Sequence, residues 1–179
     1  MHNMLNLTQF IAENNNKYVE WVDPSNKYQC FDLILKWSDN LGIPRVFPFL
    51  YAYQIYSSFG PTQAQHFTRI FNGPNDIPKE GDILVWSYYY NYSAGHTAVC
   101  QSADINRVRA FSQNDPVGKP CILRDYSYSN ILGWLRPKVY LPAPLPLTWE
   151  QKGRKTIEIV NGLGSDSDKV QLVRKVYGV

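Results

Sequence analysis

The sequence predicts an α+β protein, with helices first and a small antiparallel sheet after them. Apolar residues recur at helical spacing up to about Ser57, whereas from Asp82 onward they come in short β-branched or aromatic runs separated by Gly, Asn, Asp and Pro. Between the two textures lies FNGPNDIPKEGD, a dense cluster of turn formers at Phe71–Asp82. Helices gathered before a run of strands is the pattern of an α+β arrangement.

The first predicted helix runs from Leu5 to Glu13, with Leu5, Phe10 and Ile11 on its apolar side and Asn14–Asn16 breaking it. The second covers Tyr28 to Leu41 and carries Phe31, Leu33, Ile34, Leu35 and Trp37 on more than one face, as a buried helix does; Asn40-Leu41-Gly42 is its stop. A third, short helix is expected over Phe49–Ser57 in an aromatic, Pro-punctuated stretch. The expected strands are DILVW, GHTAVCQS, RVRAFSQ and GWLRPKVYL. LPAPLPL, residues 141–147, favours an extended spacer. It separates a main domain, residues 1–140, from an appendage at 148–179 that can form one or two short helices. Within that appendage, NGLG followed by VQLV faintly resembles a wall-binding repeat and is equally an ordinary amphipathic helix.

Composition narrows the functional classes. Aromatic residues make up 15% of the chain, thirteen of them Tyr and five Trp, which is ample for a packed core and argues against global disorder. A net charge of +3 is too small to suggest nucleic acid, although it suits an anionic wall surface. No apolar run approaches the roughly 20 residues that cross a bilayer, so membrane insertion is not expected. The stretch MHNMLNLTQFIAENNNKYVEW has no basic start, continuous apolar segment or small-residue cleavage site, so no signal peptide is expected. Nothing sets the oligomeric state, and the monomer is the default.

Chemistry can reside in few places, because the chain has only three cysteines and three histidines. Cys30, in KYQCFDLILKW, has two readings. It is a buried helix cysteine, as free cysteines often are, or a nucleophile placed where unsatisfied N–H groups stabilise a thiolate and can receive an oxyanion. Its position at the start of the expected helix, rather than the middle, favours the second. Cys100 and Cys121 fit neither a zinc pattern nor a dense disulfide framework. A thiolate nucleophile needs a base. His2 lies at the terminus and His66 on an expected surface. His96, in SAGHTAVC, opens an apolar strand behind Gly95, with Ala98 and Cys100 on its side. A third group should orient the imidazole, and the next strand offers AFSQND. Strict alternation would place Ser112 and Asn114 on one face and Gln113 on the other. Taken singly, Asn114 and Asp115 read as loop polarity.

In order, QCFDL, PKEGDILVW, GHTAVC, FSQND and GWLRPK resemble the CHAP domain, the cysteine- and histidine-dependent amidohydrolase/peptidase of bacteriophage endolysins. The likeness runs from about Asn6 to Tyr140. The DCSG-like cysteine motif of the related NlpC/P60 enzymes is absent. The resemblance implies a papain-like core and a phage peptidoglycan hydrolase, either an endolysin or a virion-associated lysin. Such an enzyme would reach the wall from the host cytoplasm with a holin, or act from the virion. In its terms Cys30 attacks an amide of the stem peptide or cross-bridge, His96 carries the proton, Asn114 holds the imidazole, and Gln29 with the Cys30 N–H receives the oxyanion.

Two departures stand out. Lytic members often read EQN where this chain has Ser112-Gln113-Asn114, so a carboxylate is replaced by a hydroxyl. Many relatives also bind Ca²⁺ through a D-x-D-x-Y-G loop before the cysteine. Here WVDPSNKYQC keeps Asp23, with Asp32 beyond the cysteine, but places Trp21 and Lys27 where oxygen ligands would be expected. Other readings are a different papain-like amidase such as an effector toxin, or a catalytically weak or silent CHAP-like module that binds wall or serves as a phage structural part.

Overall fold

A computed structural model describes residues 6–21, 28–48, 50–87 and 93–139. The chain divides into two units, Met1–Pro142 and Ala143–Val179, and every described residue belongs to the first. The expected spacer and appendage lie outside the described residues.

The architecture is α+β. Four helices, α1 (Leu7–Asn14), α2 (Cys30–Asn40), α3 (Gln54–Ser57) and α4 (Pro61–His66), precede six strands: β1 (Phe67–Phe71), β2 (Ile83–Trp86), β3 (His96–Ala103), β4 (Val108–Ser112), β5 (Ile122–Tyr126) and β6 (Ile131–Pro137). The strands form one sheet in the order β1-β6-β2-β3-β4-β5, and every neighbouring pair is antiparallel. The α+β expectation therefore holds, while α4, β1 and β5 were not anticipated. The sequence PTQAQHFTRIF has little apolar periodicity, and only Pro61 at the helix start signals α4. Strands β1 and β5 are the two edges of the sheet and alternate too weakly to announce themselves. The third helix is shorter than expected, four residues ending at Ser57.

Local chemistry fixes the two helices that matter most. Asn6 Oδ1 accepts the Gln9 N–H at 2.9 Å and the Gln9 side chain accepts the Asn6 N–H at 3.1 Å, a reciprocal cap that starts α1 at Leu7. At α2, Asp32 Oδ2 accepts the Gln29 N–H at 2.8 Å, while the Asp32 N–H donates to the Gln29 carbonyl at 3.1 Å. That exchange closes the first turn with Cys30 as its first residue. Gly42, at φ +69°, carries the left-handed turn that ends α2.

Each sheet face has its own core. One face, with Ile83, Val85, Val99 and Phe111, packs on α2 through Leu33 and Ile34, all wholly buried. The other carries Leu84, Trp86, Ala98, Cys100 and Trp134. Central strand β2 is buried along its whole length, as a strand covered on both faces must be. Strand β3 meets β4 with Val99 opposite Phe111 and Cys100 opposite Ala110, then slips by one residue before Ser102 pairs with Arg109. No described helix is long and apolar enough to cross a membrane.

Candidate active site

Cys30 and His96 open their respective elements, α2 and β3, and those elements pack together. Cys30 as a residue is half-buried. Burial pushes its thiol up to about 11, against the N–H groups of Thr97, Phe31 and Cys30, which favour the thiolate, and with the Asp32 charge, which disfavours it. Two of those N–H groups belong to the first turn of α2. The third comes from β3, from the residue that follows His96.

His96 is 4% exposed. Its ring lies 5.5 Å from Trp86, its cross-strand neighbour, and 6.4 Å from Tyr126, centroid to centroid. Nε2 is 2.8 Å from Ser112 Oγ. Burial drives the imidazole down to about 4; the Asp115 charge opposes this and the Arg124 charge adds to it. The imidazole is therefore neutral at pH 7, with a lone pair able to take a proton. Gly95 before it sits at φ +72°, where a Cβ would come 2.4 Å from the Trp86 carbonyl oxygen. Only glycine lets the backbone approach β2 so closely.

Of the two candidates for the third group, Ser112 Oγ lies within hydrogen-bond distance of the imidazole, while Asn114 Nδ2 donates to Gln29 Oε1 at 3.1 Å and Asn114 Oδ1 accepts the Gly118 N–H at 2.6 Å. Strict alternation fails because β4 ends at Ser112 and Asn114 turns to φ +60°. Asn114 thus engages the oxyanion candidate Gln29, with the Gln29 Oε1 facing Asn114.

Of the two aspartates named as candidate Ca²⁺ ligands, only Asp32 is among the described residues; Asp23 lies outside them. Asp32 is buried, and its two oxygens accept the N–H groups of Trp21 at 3.3 Å and Gln29 at 2.8 Å. Those N–H groups aim their positive ends at the carboxylate, so it serves as a helix cap rather than as part of a cation cage. Among the described residues no group of three or more His, Cys, Asp or Glu side chains could hold a metal ion. The aromatic run Tyr88–Tyr92 also lies outside the described residues.

Two buried residues, Asp115 and Gln113, were given no role by the sequence. Asp115 is 5% exposed, pairs with Arg124 at 2.8 Å and accepts the Tyr126 hydroxyl at 2.8 Å. Gln113 is wholly buried. It stands one residue past the end of β4, where alternation no longer places a side chain. Cys100 and Cys121 are free and buried, so the three thiols form no bridge.

No protein-family model matches the chain, and no curated protein sequence does. Among solved structures it is similar to the endolysin LysIME-EF1, with 24% identity over 72% of this chain and a TM-score of 0.55. It also resembles Ly7917, solved with the hydrolyzing product of MDP, at 19% identity over 61% of this chain and 53% of that one, with a TM-score of 0.47. The chain spans 61% of the LysIME-EF1 chain. The first likeness establishes a shared fold.

Proposed function

We propose that the chain is a cysteine-dependent peptidoglycan hydrolase of the CHAP type, an endolysin or virion-associated lysin that cleaves an amide of the stem peptide or cross-bridge. One observation carries this reading above the others: Cys30 opens α2 and a buried, neutral His96 opens β3, the two elements pack together, and His96 Nε2 lies 2.8 Å from Ser112 Oγ. The motif resemblance points to the substrate class, and the fold shared with an endolysin supports it.

In the productive tautomer His96 Nε2–H donates to Ser112 Oγ, leaving the Nδ1 lone pair to take the thiol proton. The Cys30 sulfur then adds to the amide carbonyl carbon, and the carbonyl electron pair moves onto oxygen. The Cys30 N–H and Gln29 stabilise that oxyanion. Collapse expels the amine, which takes the proton from the imidazolium, and water, deprotonated by His96, releases the acyl group from the thioester. Burial raises the thiol and lowers the imidazole, so both rest neutral and proton transfer accompanies attack rather than preceding it. Release from the host cytoplasm to the wall, or carriage on the virion, follows from the same reading.

A second reading rests on Ser112. A hydroxyl stabilises imidazolium less than a carboxylate does, which suits a weak or silent module that binds wall. Incubating Gram-positive walls with the purified chain and with Cys30→Ser, while following turbidity and newly freed amines, separates the two. Clearing by the wild type alone is expected. Absence of clearing across several wall chemotypes would sink the hydrolase reading, and clearing that survives Cys30→Ser would sink the mechanism.

A further inference from the structure

Gln113 lies between Ser112, which meets His96, and Asn114, which meets the Gln29 side chain. Its own side chain is wholly buried and reaches three other segments. Oε1 accepts the Val19 N–H at 2.6 Å and the Cys121 thiol at 3.1 Å. Nε2 donates to the Val19 carbonyl at 2.9 Å and to the Gln29 carbonyl at 2.8 Å. A primary amide has two N–H donors and two acceptor lone pairs, so this set uses all four. The arrangement also fixes which end is oxygen, because two carbonyls face one end and an N–H with a thiol faces the other.

The Gln29 carbonyl belongs to the residue that caps α2 and precedes Cys30. We propose that Gln113 is a positioning residue for the nucleophile, clamping the start of α2 to the end of the strand that holds His96 through Ser112. The proposal rests on Cys30 being the nucleophile. Three consecutive residues then divide the work. Ser112 holds the imidazole, Gln113 holds the main chain before the thiol, and Asn114 holds the side chain of the oxyanion donor. Glutamate in place of Gln113 keeps the shape and both acceptor contacts but has no N–H for either carbonyl. Asparagine keeps the chemistry but is one methylene too short to span both segments.

The test uses the full chain with Gln113→Glu and Gln113→Asn. Thermal melting reports folding. Steady-state kinetics on solubilised peptidoglycan separate kcat from KM. Iodoacetamide labelling from pH 6 to 11, resolved by peptide mass, follows Cys30 apart from Cys100 and Cys121. The expected result is a fall in kcat of about 10- to 100-fold with KM held within about twofold, since small misplacements of a reacting group cost about that much. The pH at which Cys30 labels should also rise. A rise in uncharged Gln113→Asn would reflect lost N–H contacts to the sulfur rather than an added charge. Cys121→Ala, which removes the thiol contact to Gln113 Oε1 and leaves both Nε2 contacts in place, should lower kcat and shift Cys30 labelling less than Gln113→Asn does.

A folded Gln113→Asn with wild-type kcat and labelling would overturn the proposal. Failure of both variants to fold would overturn it too, making Gln113 a residue of the fold alone. Labelling needs no wall substrate. A labelling shift in a chain that clears no wall would therefore support the positioning role while removing the hydrolase reading.

Discussion

Replacing Ser112 with alanine removes a single oxygen from a wholly buried position and tests how the imidazole is held. The deleted Oγ lies 2.8 Å from His96 Nε2, and His96 is itself only 4% exposed. Leaving a buried polar group without such a partner costs about 1–3 kcal/mol. In a unit of this size that corresponds to a drop in Tm of roughly 3–10 °C. Catalysis should suffer separately. Without the serine the imidazole loses a contact that holds its ring in place, and kcat should fall about 10- to 100-fold, within the range that positioned acid–base groups provide. Calorimetry gives the first number, and turbidity clearing with titrated Cys30 gives the second. An unchanged melt together with unchanged clearing would refute the contact. A lower Tm with full activity would reduce Ser112 to packing.

The pH dependence of stability follows from His96 with a definite sign. Its folded pKa, about 4, lies below the ordinary 6.5, so the unfolded chain binds more protons between those values. His96 therefore contributes stability that is complete above pH 6.5 and is lost as the pH falls toward 4, about 3 kcal/mol in all. Urea midpoints measured from pH 7.5 to 4 should fall less steeply in His96→Gln, and equal slopes would refute the burial argument. Gly95→Ala should destabilise by about 1–3 kcal/mol or more, because a Cβ at φ +72° would come 2.4 Å from the Trp86 carbonyl oxygen. A wild-type denaturation midpoint for that variant would show that β2 and β3 yield more easily than their packing implies.

Much of the site was readable because its residues stand at element boundaries. Cys30 was legible as the start of an apolar run, and it is the first residue of α2. His96 was legible as the start of a strand behind a glycine, and it opens β3. The division of labour beyond Ser112 was not legible. Alternation is a rule of extended chain, and it ends where β4 ends, one residue before Gln113. Asp32 illustrates a different limit. A carboxylate two residues after the cysteine suits a cation ligand or a helix cap, and only the positions of the Trp21 and Gln29 N–H groups decide between them. The edge strands β1 and β5 escaped because an edge need not be apolar on both faces.

The slip between β3 and β4 around Gln101 also says which parts of this hairpin tolerate change in length. On the His96 side, Val99 faces Phe111; beyond the slip, Ser102 faces Arg109, so β3 spends one more residue than β4 over the same span. The register near the site is therefore set by its own anchors, the pairing of His96 with Trp86 and the hydrogen bonds of Ser112 and Gln113, and not by counting back from the turn at Asp104–Arg107. Loop grafts at that turn leave the frame of the site intact. A one-residue deletion between His96 and Gln101 is a frame error in space, which exchanges the residues facing α2 for those facing Trp86.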